Sequence, residues 1–378
     1  MPDPASSPAE PQPRPRGRRP GPVRTALGWI LAMPVPILAG AWLTGRIVGD
    51  RFLWSQYPGW MPTELVALAA LGLTLLALLS LGRKSIAPRA ALAVSACLLA
   101  WLLFVEWSLW RALAPGPERG ELRVAFANIS PERHRADLAP LFDAGADILI
   151  LSNVHPNRIS FERIYGFRQQ DLLEVALGIT PDADNPAEIH FLRQSQFRVM
   201  SRRPLRRYAW AGIAPQESWL ETDTRGGGAI LMLEFADAQG PLVIWAVDMP
   251  STLGASRKAL FAEAARRIDE VRVAMEPDAI GRWNATPIEA DDRLFSPDLV
   301  LGDFNTPGHA WSVADFTPGL RPLRADAGLG PAGTWPAPWP LFEIDLIRLA
   351  PSLRGVAAGR IRIPGGRHLG LWCDLRRR

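Results

Sequence analysis

Hydrophobic and polar positions divide the chain in two. Between residues 25 and 110, three apolar runs carry no polar face, whereas beyond residue 121 the pattern breaks into short strand-like and helix-like segments. The runs are "TALGWILAMPVPILAGAWLTG" (25–45), "TELVALAALGLTLLALLSLG" (63–82) and "AALAVSACLLAWLLFVEWSLW" (90–110). Each is long enough to cross roughly 30 Å of hydrocarbon at about 1.5 Å per residue. Their only charges, Glu64 and Glu106, stand near run ends. Helices from a soluble core usually keep a polar stripe, and these do not. Trp29, Trp42, Trp54, Trp60, Trp101, Trp107 and Trp110 lie mostly near the ends of the runs, as an interfacial aromatic belt does. We therefore expect three membrane spans, the first kinked at Pro34 and Pro36 with its freed carbonyls satisfied by neighbours. The first run is longer than a signal-peptide core and two more spans follow, so we expect it to be a retained anchor.

The segment "APGPERGE" (114–121) reads as a Pro/Gly linker. After it, "LRVAFANIS" predicts a strand, and "ADLAPLFDAGADILILSNV" a helix and then a buried strand from Asp147. "FRVMSRRPL", "GGGAILMLEF" and "PLVIWAVDMPST" predict further strands. "SRKALFAEAARRIDEVRVAM" has helical spacing with a charged outer face; "FEIDLIRLA" and "HLGLWCDL" are the last strands expected. Many strands with occasional helices predict an α/β fold of two packed sheets flanked by helices. The domains expected are a disordered tail at 1–24, rich in Pro, Ser and Arg, a three-span anchor at 25–113, and a folded domain at 121–378.

Charge changes this picture in two places. The chain is +4 overall, but residues 121–378 hold 30 Lys+Arg against 32 Asp+Glu, which weighs against a long nucleic-acid-binding surface. Basic residues concentrate in the tail (Arg14 to Arg24) and the second short loop (Arg83, Lys84, Arg89), against Arg46 and Arg51 flanking Asp50 in the first. The positive-inside rule then puts the tail in the cytoplasm and the C-terminal domain outside it, in a multi-pass protein of the cell (inner) membrane. Cys97 and Cys373 exclude a disulfide framework, and no zinc spacing exists.

The candidate chemistry begins at "LVLGDFNTPGHAW" (299–311), an apolar strand that ends by presenting an acid and an amide two residues apart. Alternation along a strand lets Asp303 and Asn305 face the same cleft. A carboxylate can take a proton and an amide can donate to developing phosphoryl charge.

The order of motifs resembles the endonuclease/exonuclease/phosphatase superfamily, metal-dependent phosphoesterases built as a two-sheet α/β sandwich. Asn128 in "VAFANIS", the segments "DILILSNV", "MSRRPL" and "VDMPS", the letter-for-letter GDFNTP at 302–307, "IDLI" and "GRH" follow the family's sequence of pieces. The resemblance spans nearly all of 121–378. It implies that Asp303 activates or orients the attacking water and that Asn305 holds a phosphate oxygen. It further implies that His368 stabilises the phosphate, that Asp345 orients His368, and that Asn128 belongs to the catalytic set. It also implies a divalent cation, Mg²⁺ or Mn²⁺.

Three positions depart from the family. Its cation-holding Glu is Asn153, the His of its Thr-His-Leu is Asp248, and the Asp of its Ser-Asp-His is Arg367. Hard cations prefer carboxylate oxygens, so the expected metal site is rewritten, with Asp248 and Asn153 as candidate ligands and Arg367 as a phosphate clamp. His134, His190 and His309 read as surface or loop residues, while His155, two past Asn153, could join the site. Arg202, Arg203, Arg206 and Arg207 read as a solvated basic face, with a lipid-headgroup or phosphate contact as the alternative. Two functions follow as expectations. One is a membrane-anchored phosphoesterase acting on a small-molecule, lipid or nucleic-acid phosphate ester. The other is a pseudoenzyme that binds phosphate or lipid headgroups without turnover. The lipid bilayer is the expected partner, and no protein partner follows from the sequence.

Overall fold

The computed structural model describes residues 21–81, 85–113, 119–129, 138–153, 190–213, 227–274, 292–328 and 330–378. The expected tail lies outside them but for 21–24, as do His134 and His155.

Among the described residues the N-terminal third contains three helices long and apolar enough to cross a membrane, Pro22–Val48, Thr63–Leu81 and Ile86–Glu106. The first divides at Met33 into α1 (Pro22–Ala32) and α2 (Pro34–Val48), because Pro34 begins the second piece without an N–H to continue the ladder. A short helix α3 (Leu53–Trp60) follows, then α4 (Thr63–Leu81) and α5 (Ile86–Ala100), the last continuing to Glu106. Small residues face one another inside this bundle. Ala67, Ala70, Ala77, Ala87 and Ala91 are buried, and Thr74 and Ser95 pair their hydroxyls at 2.9 Å.

The rest of the described residues form two six-stranded mixed sheets. The strands that matter for the site are β1 (Leu122–Asn128), β2 (Ile148–Ser152), β4 (Phe197–Ser201), β7 (Leu242–Asp248), β8 (Leu299–Asp303), β10 (Asp345–Leu349) and β12 (Gly370–Arg377). With β3 (His190–Gln194), β5 (Leu205–Ile213), β6 (Gly228–Phe235), β9 (Arg321–Pro322) and β11 (Leu353–Ile361), one sheet has the order β11-β12-β1-β2-β4-β3 and the other β5-β6-β7-β8-β10-β9. Alternation sorts their side chains. Val124, Phe126, Ile148 and Ile150 from one sheet meet Leu231, Ile244, Leu299 and Leu301 from the other, forming the central layer. Ala125, Ala127 and Leu149 face the opposite way, onto α6 (Ala139–Asp143). Trp245, Val247 and Val300 pack beneath α7 (Arg257–Ala274) and α8 (Trp311–Phe316). Burial on both faces is why these strands read as near-continuous apolar runs.

The two-sheet sandwich with outer helices is the architecture the sequence predicts. One reading needs correction. Arg207 is not on a solvated face: it lies on β5 (Leu205–Ile213), buried, with its guanidinium 2.7 Å from Glu234 on β6 (Gly228–Phe235). The strand was hidden because Arg206 and Arg207 interrupt its apolar alternation, and a paired arginine can occupy an inward position.

Candidate functional site

The strand ends place the chemistry. β1, β2, β7 and β8 finish at the same edge of the sandwich where β10 begins. Register then puts Asp248, Asp303 and Asp345 side by side, with Asp248 opposite Asp303 on parallel β7 and β8, and Asp345 opposite Asp303 on antiparallel β10. Three carboxylates thus lie in one row, each no more than 4 % exposed. The Gly before Asp303 has a physical cause. At Gly302 (φ +148°) a Cβ would lie 1.9 Å from the Val247 carbonyl oxygen, so only glycine lets β8 approach β7 this closely.

The GDFN turn folds back on Asp303. Asn305 takes the left-handed conformation (φ 47°), which asparagine tolerates, and its backbone N–H donates to Asp303 Oδ1 at 2.8 Å. Its Nδ2 donates to the Met249 carbonyl at 2.7 Å. From the other sheet, Asn128 Nδ2 donates to Asp303 Oδ2 at 2.7 Å. Asn153, also left-handed (φ 60°), donates its Nδ2 to Asn128 Oδ1 at 3.0 Å. A glutamate here could not make that bond when ionised, having no donor. The substitution at 153 therefore replaces a charge by a second amide in a chain, Asn153 to Asn128 to Asp303.

His368, two residues before β12, closes the cluster. Its Nδ1 lies 2.9 Å from Asp345 Oδ2 and 4.0 Å from Asp303 Oδ2. Thr334 ties the two elements together. Its hydroxyl accepts the Asp345 N–H at 3.2 Å and its carbonyl accepts the Leu369 N–H at 2.9 Å. Asp248 accepts from Gln196 Nε2 on the β3–β4 turn. Arg367 is half-buried beside His368, with its carbonyl accepting the Ala337 N–H at 2.8 Å. Sequence reading missed Thr334 and Gln196. Both sit in loops with no mark beyond their polarity, and only tertiary contact gives them a role.

The electrostatics separate acid from base. Burial raises Asp303, and Asp345 beside it adds to this. The His368 charge and the bonds from Asn305 and Asn128 pull the other way, leaving Asp303 at about 7. Burial also raises Asp248 well above the usual carboxylate range, reinforced by Asp303. For His368 burial acts downward but is outweighed by Asp345, with help from Asp303 and Asp248, which push it up to about 9. Near neutral pH the cluster thus holds an imidazolium against a carboxylate poised to give or take a proton.

Asp303, Asp345 and His368 each offer a ligand atom within 4.8 Å of the others, among the described residues. Among the described residues Asp345 Oδ1 is buried with no hydrogen-bond partner, so one oxygen is left for a cation or a donor. Two carboxylates fit a hard divalent ion, which His368 would join only on losing its proton. The structure brings together Asn128, Asn153, Asp248, Asp303, Asn305, Asp345 and His368 at one edge of the sandwich. His309, read as a surface or loop residue, lies in the turn after β8, where its Nε2 is 2.7 Å from the Gly59 carbonyl of the N-terminal helical segment.

No family model and no curated protein sequence matches the chain. Among solved structures it is similar to an endonuclease/exonuclease/phosphatase from Beutenbergia cavernae, with 18% identity over 69% of this chain and 72% of that one and a TM-score of 0.44. It is also similar to a mannosyl-6-phosphatase from Bacteroides thetaiotaomicron, with 12% identity over 68% of this chain and 99% of that one and a TM-score of 0.42. A third is D. rerio TDP2 complexed with a single-strand DNA product, with 12% identity over 67% of this chain and 98% of that one and a TM-score of 0.38.

Proposed function

We propose that the chain is a membrane-anchored phosphoesterase of the endonuclease/exonuclease/phosphatase type, hydrolysing a phosphodiester or phosphomonoester with its C-terminal domain on the extracytoplasmic side. The observation that carries this reading is the buried cluster Asp345, His368, Asp303 and Asn128, joined by bonds of 2.9 and 2.7 Å and one 4.0 Å approach. A carboxylate near 7 suits the removal of a proton from water, since a base works best when its pKa is close to ambient pH. An imidazolium held by Asp345 supplies fixed positive charge for a phosphoryl oxygen. Asp303 and Asp345 are the acids that would hold a divalent ion, Mg²⁺ or Mn²⁺, with Asp248 adjoining and the protonated His368 facing the phosphate rather than the ion. Such an ion supplies neutralisation of phosphoryl charge when bound. Arg367, next to His368 in sequence, is the candidate phosphate clamp of this reading.

The second reading, a phosphate-binding module without turnover, is favoured by one observation. Asn153 gives its amide to Asn128 and brings no charge to the cation. Hydrolysis of bis(p-nitrophenyl) phosphate and p-nitrophenyl phosphate by the full-length protein, with Mg²⁺, with Mn²⁺ and after chelation, separates the two. The enzyme reading expects cation-dependent turnover. Binding of inorganic phosphate without any turnover supports the module.

A further inference from the structure

The catalytic turn is gripped from outside by the membrane anchor. The segment between the first and second spans meets residues 309–312, the continuation of the GDFN turn, at consecutive positions. Gly49 is left-handed (φ +61°), and a Cβ there would lie 2.2 Å from the Trp311 ring, so the loop and the indole are fitted to each other. Trp311 Nε1 donates to the Ile47 carbonyl at 3.2 Å, and the Arg51 guanidinium lies 4.0 Å from the centre of the same indole. Asp50, only 2 % exposed, accepts from the Ser312 N–H at 3.1 Å and from the Ser312 hydroxyl. A carboxylate this buried needs those donors, and they exist only while the anchor is docked.

Two further contacts reach the site by other routes. Gly59 presents its carbonyl to His309, four residues after Asn305. Gly59 is fixed by backbone packing, since a Cβ on Gly45 of α2 would lie 2.3 Å from the Gly59 nitrogen. The loop after β7 carries Met249, whose carbonyl receives the Asn305 amide and whose N–H donates to the Asp303 carbonyl at 2.8 Å. That loop is held in turn by the anchor. Gln56 Nε2 donates to the Leu253 carbonyl at 3.3 Å, and Arg257, 1 % exposed, lies 5.2 Å from the centre of the Trp60 ring while donating to the Pro250 carbonyl at 2.6 Å.

We propose that the segment 49–60 of the anchor is a positioning element for the catalytic turn, with Asp50 and Gly59 holding Ser312 and His309 so that Asp303 and Asn305 keep their geometry. The anchor is thereby part of the active unit and more than a tether. This rests on the phosphoesterase reading only for its consequence in rate. Catalytic groups displaced by about 1 Å lose on the order of 10²-fold in rate.

The test uses the full-length protein in nanodiscs. Asp50→Ala, His309→Ala and the milder Ser312→Ala are compared with wild type by amide hydrogen exchange. Exchange over 303–316 is expected to rise by about tenfold or more in Asp50→Ala and His309→Ala, with strand 228–235 unchanged, because only the turn loses its support. Asp50→Asn, which keeps an oxygen for the Ser312 N–H, should restore most of the protection. With bis(p-nitrophenyl) phosphate, kcat is expected to fall about tenfold or more in Asp50→Ala while KM changes less than about twofold. Unchanged exchange over 303–316 in all three variants, or loosening shared equally by 228–235, overturns the proposal. A wild type that hydrolyses no phosphate ester but loosens at 303–316 in Asp50→Ala upholds the positioning and overturns the enzyme reading instead.

Discussion

Neutralising Asp345 tests the cluster at its firmest contact. Asp345→Asn keeps the shape of the side chain and removes the charge 2.9 Å from His368 Nδ1. His368 stands at about 9 against an ordinary 6.5 even though burial acts downward on it. At 1.36 kcal/mol for each pH unit, that net rise corresponds to about 3 kcal/mol of preference for the imidazolium, all of it from neighbouring carboxylates. Asp303 is farther away, at 4.0 Å, so loss of the Asp345 charge leaves burial largely unopposed. The His368 midpoint is expected to fall from about 9 to 6.5 or below. The assay is the pH titration of ¹⁵N-histidine signals in the full-length protein, with His368 assigned by its absence in His368→Gln.

The sign for stability follows from the direction of the shift. A histidine whose folded value is raised contributes stability that is fully present below about 6.5 and is lost as pH rises through about 9. The deficit of Asp345→Asn relative to wild type should therefore be greatest below about pH 6.5 and shrink toward pH 9. A His368 midpoint that stays near 9 in Asp345→Asn refutes the reasoning, because another group would then be holding the proton.

Three other outcomes are expected. Asn153→Glu restores a carboxylate at the cation edge but removes the donor to Asn128, so cation affinity measured by calorimetry should tighten, while Asp248→Asn should weaken it. Arg207→Met leaves Glu234 buried and unpaired, and denaturant unfolding should show a loss of about 3–5 kcal/mol. A reporter active only in the cytoplasm and fused after Arg378 should stay silent, since the Lys/Arg asymmetry sends the domain outside.

The legibility of this chain was uneven for physical reasons. The long apolar helices and the central strands announce themselves because continuous apolar runs have few other uses, and "LVLGD" became β8 with its acid at the strand end. The edge strands did not. β11 (Leu353–Ile361) has the burial of an outer strand and carries Arg354, Gly355, Gly359 and Arg360, which blur its alternation. Residue types at 303, 345 and 368 pointed to the site, because register carries strand ends to a common edge. What the residue types could not show was direction. Asn153 reads as a weakened ligand in sequence, whereas in space its amide faces Asn128. His309 reads as a loop residue, and Asp50 as a charge between arginines, because a contact 250 or more residues away leaves no local trace.

The central claim is that Asp303 is the base of a phosphoesterase site and His368 its positive charge. The most direct measurement is the pH–rate profile of bis(p-nitrophenyl) phosphate hydrolysis by the full-length protein beside Asp303→Asn. The account predicts turnover that rises through about 7 as Asp303 loses its proton and falls through about 9 as His368 loses its own. It predicts a loss on the order of 10²–10⁴-fold in Asp303→Asn. Equal rates in the two proteins, or a profile flat between about pH 6 and 10 at these groups' values, would contradict it.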